Sequence, residues 1–516
     1  MKCIDFLKRL SAVFSIAAVA LSFTACGEES EDNGETGQGT KTYLTQRSCT
    51  LSEGAEVDAE STTSVTIGYN KVVAISANAD VTLNGVKVRP VNNKSTKMSV
   101  DIPLTLEVGQ SYELKIAEGA FADASNANEV NPALTLKFST RKSGEQALPQ
   151  NGAMAITKML GFGWNLGNHF DSLDSGNPDA NYRITWSKTC PFWDGVNPTE
   201  DLYKNLAAAG VKTVRMPVTW GPYENMEDGN YTIDSDYMEL VAKNVFWARD
   251  NGLIVVLNTH HDEYWQNAFL AGGNDGENAK IKDRIEKTWR QIADRFKDEG
   301  DYLILESFNE LNHDWKTPNA AELRIQNEWN QLVVDVIRST GGKNATRWIA
   351  VPSYQASPSL ALKDTFVVPT DPANKLIVAV HCYDPYGFTL KNPLDEKLSD
   401  GDLKAVNTLL QNLKAKFIDN DIPCYLGEFG CSRHTSDEVN KVREYYLEYF
   451  CRAAHFAGLA ACLWDNHNPG GGSEHHGYFS HDNGAWEDNS ASLVKKMINA
   501  LTSESASYTL ESIKKP

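Results

Sequence analysis

The sequence predicts an α/β architecture in which a (β/α)8 TIM barrel is preceded by a small all-β sandwich. The chain has 516 residues, which is too long for one ordinary domain. Short apolar–polar alternations recur over residues 43–140, whereas apolar runs of strand length alternate with amphipathic stretches over residues 153–503. No Gly-x-Gly-x-x-Gly or Walker motif follows an early strand, which argues against a nucleotide-binding, doubly wound sheet.

Residues 1–25 have the order of a bacterial signal peptide, with a basic start, a 13-residue apolar run and small residues at the end. The run is shorter than the roughly 20 residues that span a bilayer. Cys26 directly after Thr-Ala predicts a lipid anchor, and plain secretion is the alternative because Phe23 replaces the usual leucine. Residues 26–42 follow as the lipidated cysteine and a flexible acidic tether. We therefore expect an extracellular or cell-surface protein, held by its lipid at a bacterial outer membrane.

Residues 43–140 contain about seven short alternating segments at near ten-residue spacing, which is typical of an antiparallel sandwich. The pattern of Leu106, Gly109 and Tyr112 resembles that of bacterial Ig-like domains found beside extracellular enzymes. We expect this domain to act as a spacer, with sugar binding as the alternative. Residues 141–152 are predicted to be a polar linker.

Eight apolar runs after residue 153 are the predicted barrel strands, and residues 504–516 form a C-terminal tail. The strands are expected at 161–165, 212–218, 253–258, 302–309, 347–352, 375–381, 423–429 and 461–465. Active sites of such barrels lie at the C-terminal ends of the strands. Six of these ends carry polar or aromatic side chains that would converge on one mouth: Arg215, Asn258 to His261, Asn309 with Glu310, His381 to Tyr383, Glu428, and Trp464 with Asp465.

Two glutamates on opposite strands, Glu310 and Glu428, suit glycosidic bond cleavage. That reaction needs one carboxyl group to protonate the leaving oxygen and a second carboxylate to attack the anomeric carbon or activate water. Arg215 would orient the nucleophile through a bidentate contact. Neighbouring residues of a strand point to opposite faces, so Asn309 and Glu310 reach one site only if the strand end is distorted.

Seven motifs of the barrel region resemble those of the family-five glycoside hydrolases, which belong to a clan of (β/α)8 retaining enzymes. They are LILESFNELN, CYLGEFG, GFGWNLGNHFD, VRMPVTW, VVLNTHHDEYW, AVHCYDPYGFT and ACLWDNHNPGG. The resemblance implies that Glu310 is the acid/base and Glu428 the nucleophile. It further implies supporting residues at Arg215, His260, Asn309, His381 and Tyr383. Expected substrate contacts are His261, Trp464, Asn165, Trp265 and Trp315. It implies no organic cofactor and no metal.

The predicted function is endo-hydrolysis of β-1,4-glucan backbones, such as cellulose, xyloglucan or mixed-linkage glucan, by a monomer. A xylanase or mannanase of the same fold, or a non-catalytic glycan-binding protein, are the alternatives. The net charge of −19 argues against nucleic acid as a partner. The long segment after Trp464 is less typical and leaves the preferred glucan open.

Some residues have a second interpretation that the sequence leaves open. Glu306 shares the strand parity of Glu310 and is predicted to be a buried partner of the site's basic residues. Asp262 and Asp465 are predicted to be solvated or substrate-binding loop acids. The histidines after Trp464 are expected in a mobile loop and not around a metal, because no anchoring ligand spacing accompanies them.

Overall fold

The structure, a computed structural model, describes residues 41–57, 59, 62–92, 97–141, 144–173, 192–262 and 275–516. Cys26, Trp265 and the predicted signal peptide lie outside these ranges. Within them, every helix is too short or too polar to cross a lipid bilayer.

The N-terminal region is all-β, with thirteen short strands in its described part where the sequence predicts about seven. Their bounds are β1 Thr42–Tyr43, β2 Gln46–Cys49, β3 Glu56–Val57, β4 Ser64–Tyr69, β5 Val73–Ile75, β6 Val81–Leu83, β7 Val86–Lys87, β8 Val91–Asn92, β9 Ser99–Pro103, β10 Ser111–Ile116, β11 Phe121–Asp123, β12 Asn126–Val130 and β13 Leu134–Thr140. They form sheets in the orders β1-β12-β11-β5, β3-β13-β10-β6-β7 and β2-β4-β9-β8. Most pairs are antiparallel, and alternate side chains bury one core that includes Ile67, Val100, Leu114 and Phe121.

Eight parallel strands close into a barrel, which confirms the predicted fold class. They are β14 Phe162–Asn165, β15 Thr213–Met216, β18 Ile254–Asn258, β19 Leu303–Glu306, β20 Ile349–Pro352, β21 Leu376–Cys382, β22 Cys424–Phe429 and β23 Ala460–Leu463. The last strand pairs with the first. A small hairpin, β16 Glu224–Asn225 and β17 Thr232–Ile233, follows β15. Every residue of the eight barrel strands is buried, as expected for parallel strands covered by helices.

Helices cover the outside of the barrel and close its floor. They are α1 Ala153–Leu160, α2 Glu200–Ala209, α3 Ser235–Asp250, α4 Asp275–Phe296, α5 Ala320–Ser339, α6 Pro358–Ala361, α7 Tyr386–Thr389, α8 Asp400–Lys416, α9 Asp437–Ala457 and α10 Ser490–Thr502. Short 3-10 turns occupy Gly221–Tyr223, Gly342–Ala345, Tyr354–Ala356, Ile418–Asn420 and Leu510–Ser512. Capping boxes begin α5 (Asn319 with Glu322) and α8 (Ser399 with Asp402), so their first amide groups are satisfied by side chains.

The segment between the two domains is bound to the N-terminal end of the barrel, and its apolar part is buried. Leu148 is 2% exposed in a cluster with Ile254, Ile304 and Ala350. Trp348 Nε1 donates to the Pro149 carbonyl at 2.9 Å. Residues after 144 therefore belong to the floor of the barrel as much as to a linker.

The C-terminal residues also pack on the barrel. The Arg452 guanidinium on α9 donates to the carbonyls of Ser503 and Tyr508, and Ile513 is buried. Residues 504–516 thus form a docked extension and not a free tail.

Candidate active site

A cavity of about 860 Å³ opens at the C-terminal ends of the barrel strands. Side chains from several strand ends and loops line it together. Its lining includes Asn168, Trp193, His260, His261, Asn309, Glu310, Trp315, Gln355, His381, Tyr383, Tyr386, Glu428, Trp464 and Glu474. Nine of the twelve site residues predicted from the sequence, other than the lipidated cysteine, lie on this wall.

Arg215, at the end of β15, is fully buried and organises the centre of the site. Its Nη1 donates to Glu428 Oε1 at 2.8 Å, and its Nε and Nη2 donate to Glu306 Oε1 at 2.9 and 2.7 Å. The predicted bidentate contact with Glu428 is therefore wrong, because two guanidinium nitrogens are taken by Glu306 and one is left for Glu428. Tyr383 Oη donates to the other Glu428 oxygen at 2.9 Å. Glu428 is 5% exposed, so both of its oxygens are held by donors in a largely dehydrated position.

Glu306 is the buried counter-ion that the sequence predicts. Besides Arg215, Asn258 Nδ2 donates to its Oε1 at 3.1 Å, and the Tyr425 hydroxyl donates to its Oε2. Because all of these groups are buried, the carboxylate fixes the plane of the guanidinium.

Glu310 differs from Glu428 in its surroundings. It is intermediate in exposure, and its Oε1 lies 2.6 Å from His381 Nδ1. The same histidine nitrogen lies 3.6 Å from Glu428 Oε2. One oxygen of each glutamate lies within 4.8 Å of the other. This spacing agrees with the carboxyl pairs about 5–5.5 Å apart in retaining glycosidases and is shorter than the roughly 6.5–9.5 Å of inverting enzymes.

Irregular backbone at two strand ends makes these contacts possible. The register between β21 and β22 shifts after Val380, which places His381 opposite Glu428. Strand β19 ends at Glu306, so strand alternation no longer constrains Asn309 and Glu310. Asn309 Oδ1 accepts from Arg215 Nη2 at 2.9 Å while Glu310 faces His381. The distortion that the sequence predicts is therefore present: the chain leaves the sheet after Glu306, before it reaches Asn309 and Glu310.

His260 is a buried, neutral polar group on the cavity wall. Its pKa lies well below the usual value because it is buried, and because His261, Arg215 and His381 disfavour a further positive charge. Asn258 Nδ2 lies 3.2 Å from His260 Nδ1. An amide nitrogen can only donate, so His260 Nδ1 accepts this hydrogen bond and the proton of the neutral ring is on Nε2.

Aromatic rings form the apolar surfaces of the cavity. Trp464 is 9% exposed and stacks parallel to His260 at 6.0 Å. A Cβ on Gly167 would lie 2.8 Å from the Trp464 ring, which explains the glycine in the WNLG motif. Trp315 and Trp193 are 62% and 46% exposed. Both exposed rings offer a flat face to a sugar ring.

Trp193, Tyr386 and Glu474 are cavity residues that the sequence analysis misses. None follows a strand directly, and each lies in a loop whose path the sequence does not give. The only available signal was indirect, since Trp193 and Glu474 flank glycine-containing turns in the loops after the first and last strands.

Two of the three histidines predicted in a mobile loop after Trp464 are instead packed into the barrel, and His475 is half-buried, so that prediction is wrong. His476 and His481 are both fully buried. His481 Nδ1 lies 3.1 Å from Asp194 Oδ2 and its Nε2 3.2 Å from Asp465 Oδ1. Burial lowers the pKa of His481, but its hydrogen bonds to Asp194 and Asp465 outweigh this and raise the pKa to about 9. The segment is stabilised by a charged histidine between two carboxylates.

Asp465 and Asp262 are structural, which corrects their prediction as solvated or substrate-binding acids. Asp465 is fully buried and accepts from Trp164 Nε1 at 2.8 Å and from the Phe479 amide at 3.0 Å. Asp262 accepts the amides of Trp220 and Gly221.

Asn165 is also misassigned as a substrate contact. It is fully buried away from the cavity, where its Oδ1 accepts from Arg215 Nη1 at 3.0 Å and its Nδ2 donates to the Gly427 carbonyl at 3.0 Å. It positions Arg215. Trp265 lies outside the described residues.

Two groups in the described part of the chain bring three metal-type donors within 4.8 Å of one another. One is Glu310 with His381 and Glu428, and the other is Asp171 with His260 and His261. The first is the carboxyl pair with its shared histidine. In the second, burial raises the pKa of Asp171 to about 6 despite the neighbouring His261.

The sequence matches the family model described as "Cellulase (glycosyl hydrolase family 5)" over residues 175–470. An endoglucanase B of Neocallimastix patriciarum is 33% identical over 329 residues, which cover 63% of this chain and 67% of that protein. A broad-specificity endoglucanase structure from Bacteroides salanitronis is 33% identical with a TM-score of 0.61, covering 70% of this chain and 97% of that one. A Bacteroides ovatus xyloglucanase structure, 22% identical with a TM-score of 0.60, shares the fold over 88% of this chain and all of its own.

Proposed function

Because this chain belongs to the cellulases of glycosyl hydrolase family 5, a retaining family, we propose that Glu428 is its nucleophile and Glu310 its acid/base. The protein is a glycoside hydrolase that cleaves β-1,4-glucan backbones internally. The observation that carries the assignment is the spacing of the two carboxylates, within 4.8 Å at the mouth of the barrel.

The unequal surroundings of the two glutamates support the division of roles. Glu428 accepts hydrogen bonds from Arg215 and Tyr383 and is nearly buried, which suits an anionic nucleophile held in a fixed orientation. Glu310 is more accessible than Glu428, and its Oε1 lies 2.6 Å from His381 Nδ1, which suits a group that exchanges protons with a leaving oxygen and with water.

The reaction follows in two steps. In the first, a Glu428 oxygen attacks the anomeric carbon while Glu310 transfers its proton to the departing glycosidic oxygen. In the second, Glu310 removes a proton from water, and the resulting oxygen attacks the same carbon and releases Glu428. Two inversions return the original anomeric configuration. Asn309, held by Arg215, is placed to bond a sugar hydroxyl as positive charge develops on the ring.

The preferred substrates are neutral β-1,4-glucans: cellulose, mixed-linkage glucan and xyloglucan. The cavity is open and carries exposed Trp193 and Trp315, so a chain can be bound on either side of the cleaved bond. A broad-specificity endoglucanase and a xyloglucanase among the similar proteins support the same substrate class. A xylanase or mannanase activity is not favoured.

The test uses Glu428→Gln, which keeps the shape of the side chain and removes the nucleophilic anion. Turnover should fall by at least about a thousandfold on carboxymethylcellulose, xyloglucan and mixed-linkage glucan, while oligosaccharide binding is retained. Product anomers followed by NMR should show retention in the native enzyme. Appreciable activity of the variant, or inverted products, would contradict the assignment.

We also propose that the enzyme is exported as a monomer and attached by a lipid on Cys26 to the outer membrane. The signal-peptide pattern and the acidic tether of the sequence support this. Cys26→Ala should release the protein from the membrane fraction, and a variant that stays membrane-bound would refute the anchor.

A further inference from the structure

We propose that Glu474 contacts the substrate and selects an uncharged glucosyl unit with free hydroxyls beside the catalytic pair, an inference that rests on the proposed glucanase function. Glu474 belongs to the segment after β23, the long stretch whose sequence leaves the preferred glucan open. Its side chain lines the same cavity as Glu310 and Glu428.

The carboxylate of Glu474 is available to a ligand. The residue is exposed to solvent, and within the described part of the chain its carboxylate has no hydrogen-bond partner. Partial dehydration by the cleft wall, and then the like charges of Glu428 and Glu310, raise its pKa to about 7. Because Glu474 lines the same cavity as Glu310 and Glu428, one bound sugar chain can contact all three side chains.

The backbone of Glu474 is held in place, so the side chain is presented at a defined position. Its amide donates to Ser432 Oγ at 3.1 Å, and its carbonyl accepts from Asn466 Nδ2 at 2.9 Å and Asn468 Nδ2 at 3.2 Å. Its φ of 62° lies in the left-handed region that non-glycine residues avoid. These three hydrogen bonds fix the backbone of Glu474 beside the cleft, so its carboxylate stays within one side-chain length of that position.

A carboxylate at this point distinguishes neutral from anionic glucans. Ionised carboxylates only accept hydrogen bonds, and sugar hydroxyls are donors that can satisfy both oxygens. With Glu310 and Glu428 nearby, Glu474 makes this part of the wall acidic, and the buried Arg215 is already bonded to Glu306 and Glu428. A carboxymethyl group or a uronic acid bound here would meet uncompensated like charge.

The experiment compares the native full chain with Glu474→Gln, which keeps the side-chain volume. The substrates are cellopentaose, hydroxyethylcellulose and carboxymethylcellulose, the two polymers being matched in degree of substitution. All assays are run at pH 8, above the pKa of about 7, so that Glu474 is mostly ionised. We expect kcat/KM on cellopentaose to fall about tenfold, because a hydrogen bond to a charged acceptor is lost. Activity on carboxymethylcellulose relative to hydroxyethylcellulose should rise at least about threefold, as removal of a like charge at contact distance predicts.

The matched control is Glu438→Gln, which removes the same charge from an 81% exposed side chain on α9 and should leave both quantities unchanged. If Glu474→Gln unfolds, Glu474→Ala replaces it, with thermal midpoints measured for all variants. A folded variant with native kcat/KM on cellopentaose and a native polymer ratio would overturn the role of Glu474. A native enzyme inactive on all three substrates would overturn the glucanase function itself.

Discussion

Replacement of His481 by Gln tests the Asp194–His481–Asp465 triad that holds the segment after β23. The imidazolium donates to both carboxylates, and all three side chains are fully buried. A glutamine amide is neutral, so both buried carboxylates lose the positive charge that they share.

The size of the effect follows from the pKa of His481, which rises from 6.5 to about 9 on folding. At 1.36 kcal/mol per pKa unit this corresponds to about 3 kcal/mol of stability. A raised pKa contributes fully below the unfolded value of 6.5, and the contribution is lost as the pH rises through about 9. The variant should therefore be about 3 kcal/mol less stable at pH 6 and within about 1 kcal/mol of the native protein at pH 9.5.

Urea unfolding followed by tryptophan fluorescence measures this difference in the barrel alone, because all twelve tryptophans lie between residues 164 and 486. His434→Gln is the control. Burial lowers the pKa of His434, so folding disfavours its charged form and its replacement should cost no more at pH 6 than at pH 9.5. A His481→Gln deficit that is equal at pH 6 and 9.5 would refute the charged triad.

Two further predictions concern catalysis and substrate binding. Arg215→Lys should lower kcat about a hundredfold with little change in KM for cellopentaose, because one ammonium cannot bond Glu428 and Glu306 together as the guanidinium does. Arg433→Lys, at a surface ion pair, should behave as native. Trp193→Ala and Trp315→Ala should each lower kcat/KM on cellohexaose about fivefold to tenfold and have less effect on cellotriose, since a stacked ring contributes about 1 kcal/mol. Steady-state kinetics decide both, and equal losses on both oligosaccharides would argue against sugar-stacking platforms.

The barrel was largely predictable from the sequence because parallel strands covered on both faces are long apolar runs. All eight predicted runs contain a strand, with ends within about three residues. The strands of the β-domain were harder to predict, because many of them have only two or three residues, too few to show an alternating pattern.

The centre of the site was predictable for a related reason. Strand ends of a closed barrel must meet at one mouth, so Glu310, His381 and Glu428 could be placed together from their positions alone. The side chains of the loops could not be placed in this way. Nothing in the sequence distinguishes Asp465, which turns inward to His481, from Glu474, which faces the cleft.

The attachment of residues 148–150 to the floor of the barrel has a mechanical consequence. Leu148, Pro149 and Gln150 contact Trp348, Asp301 and neighbouring floor residues at the end of the barrel remote from the strand ends that carry Glu310 and Glu428. A force applied through the N-terminal region would therefore reach the barrel at its floor, and the loops around Glu310 and Glu428 lie outside that path.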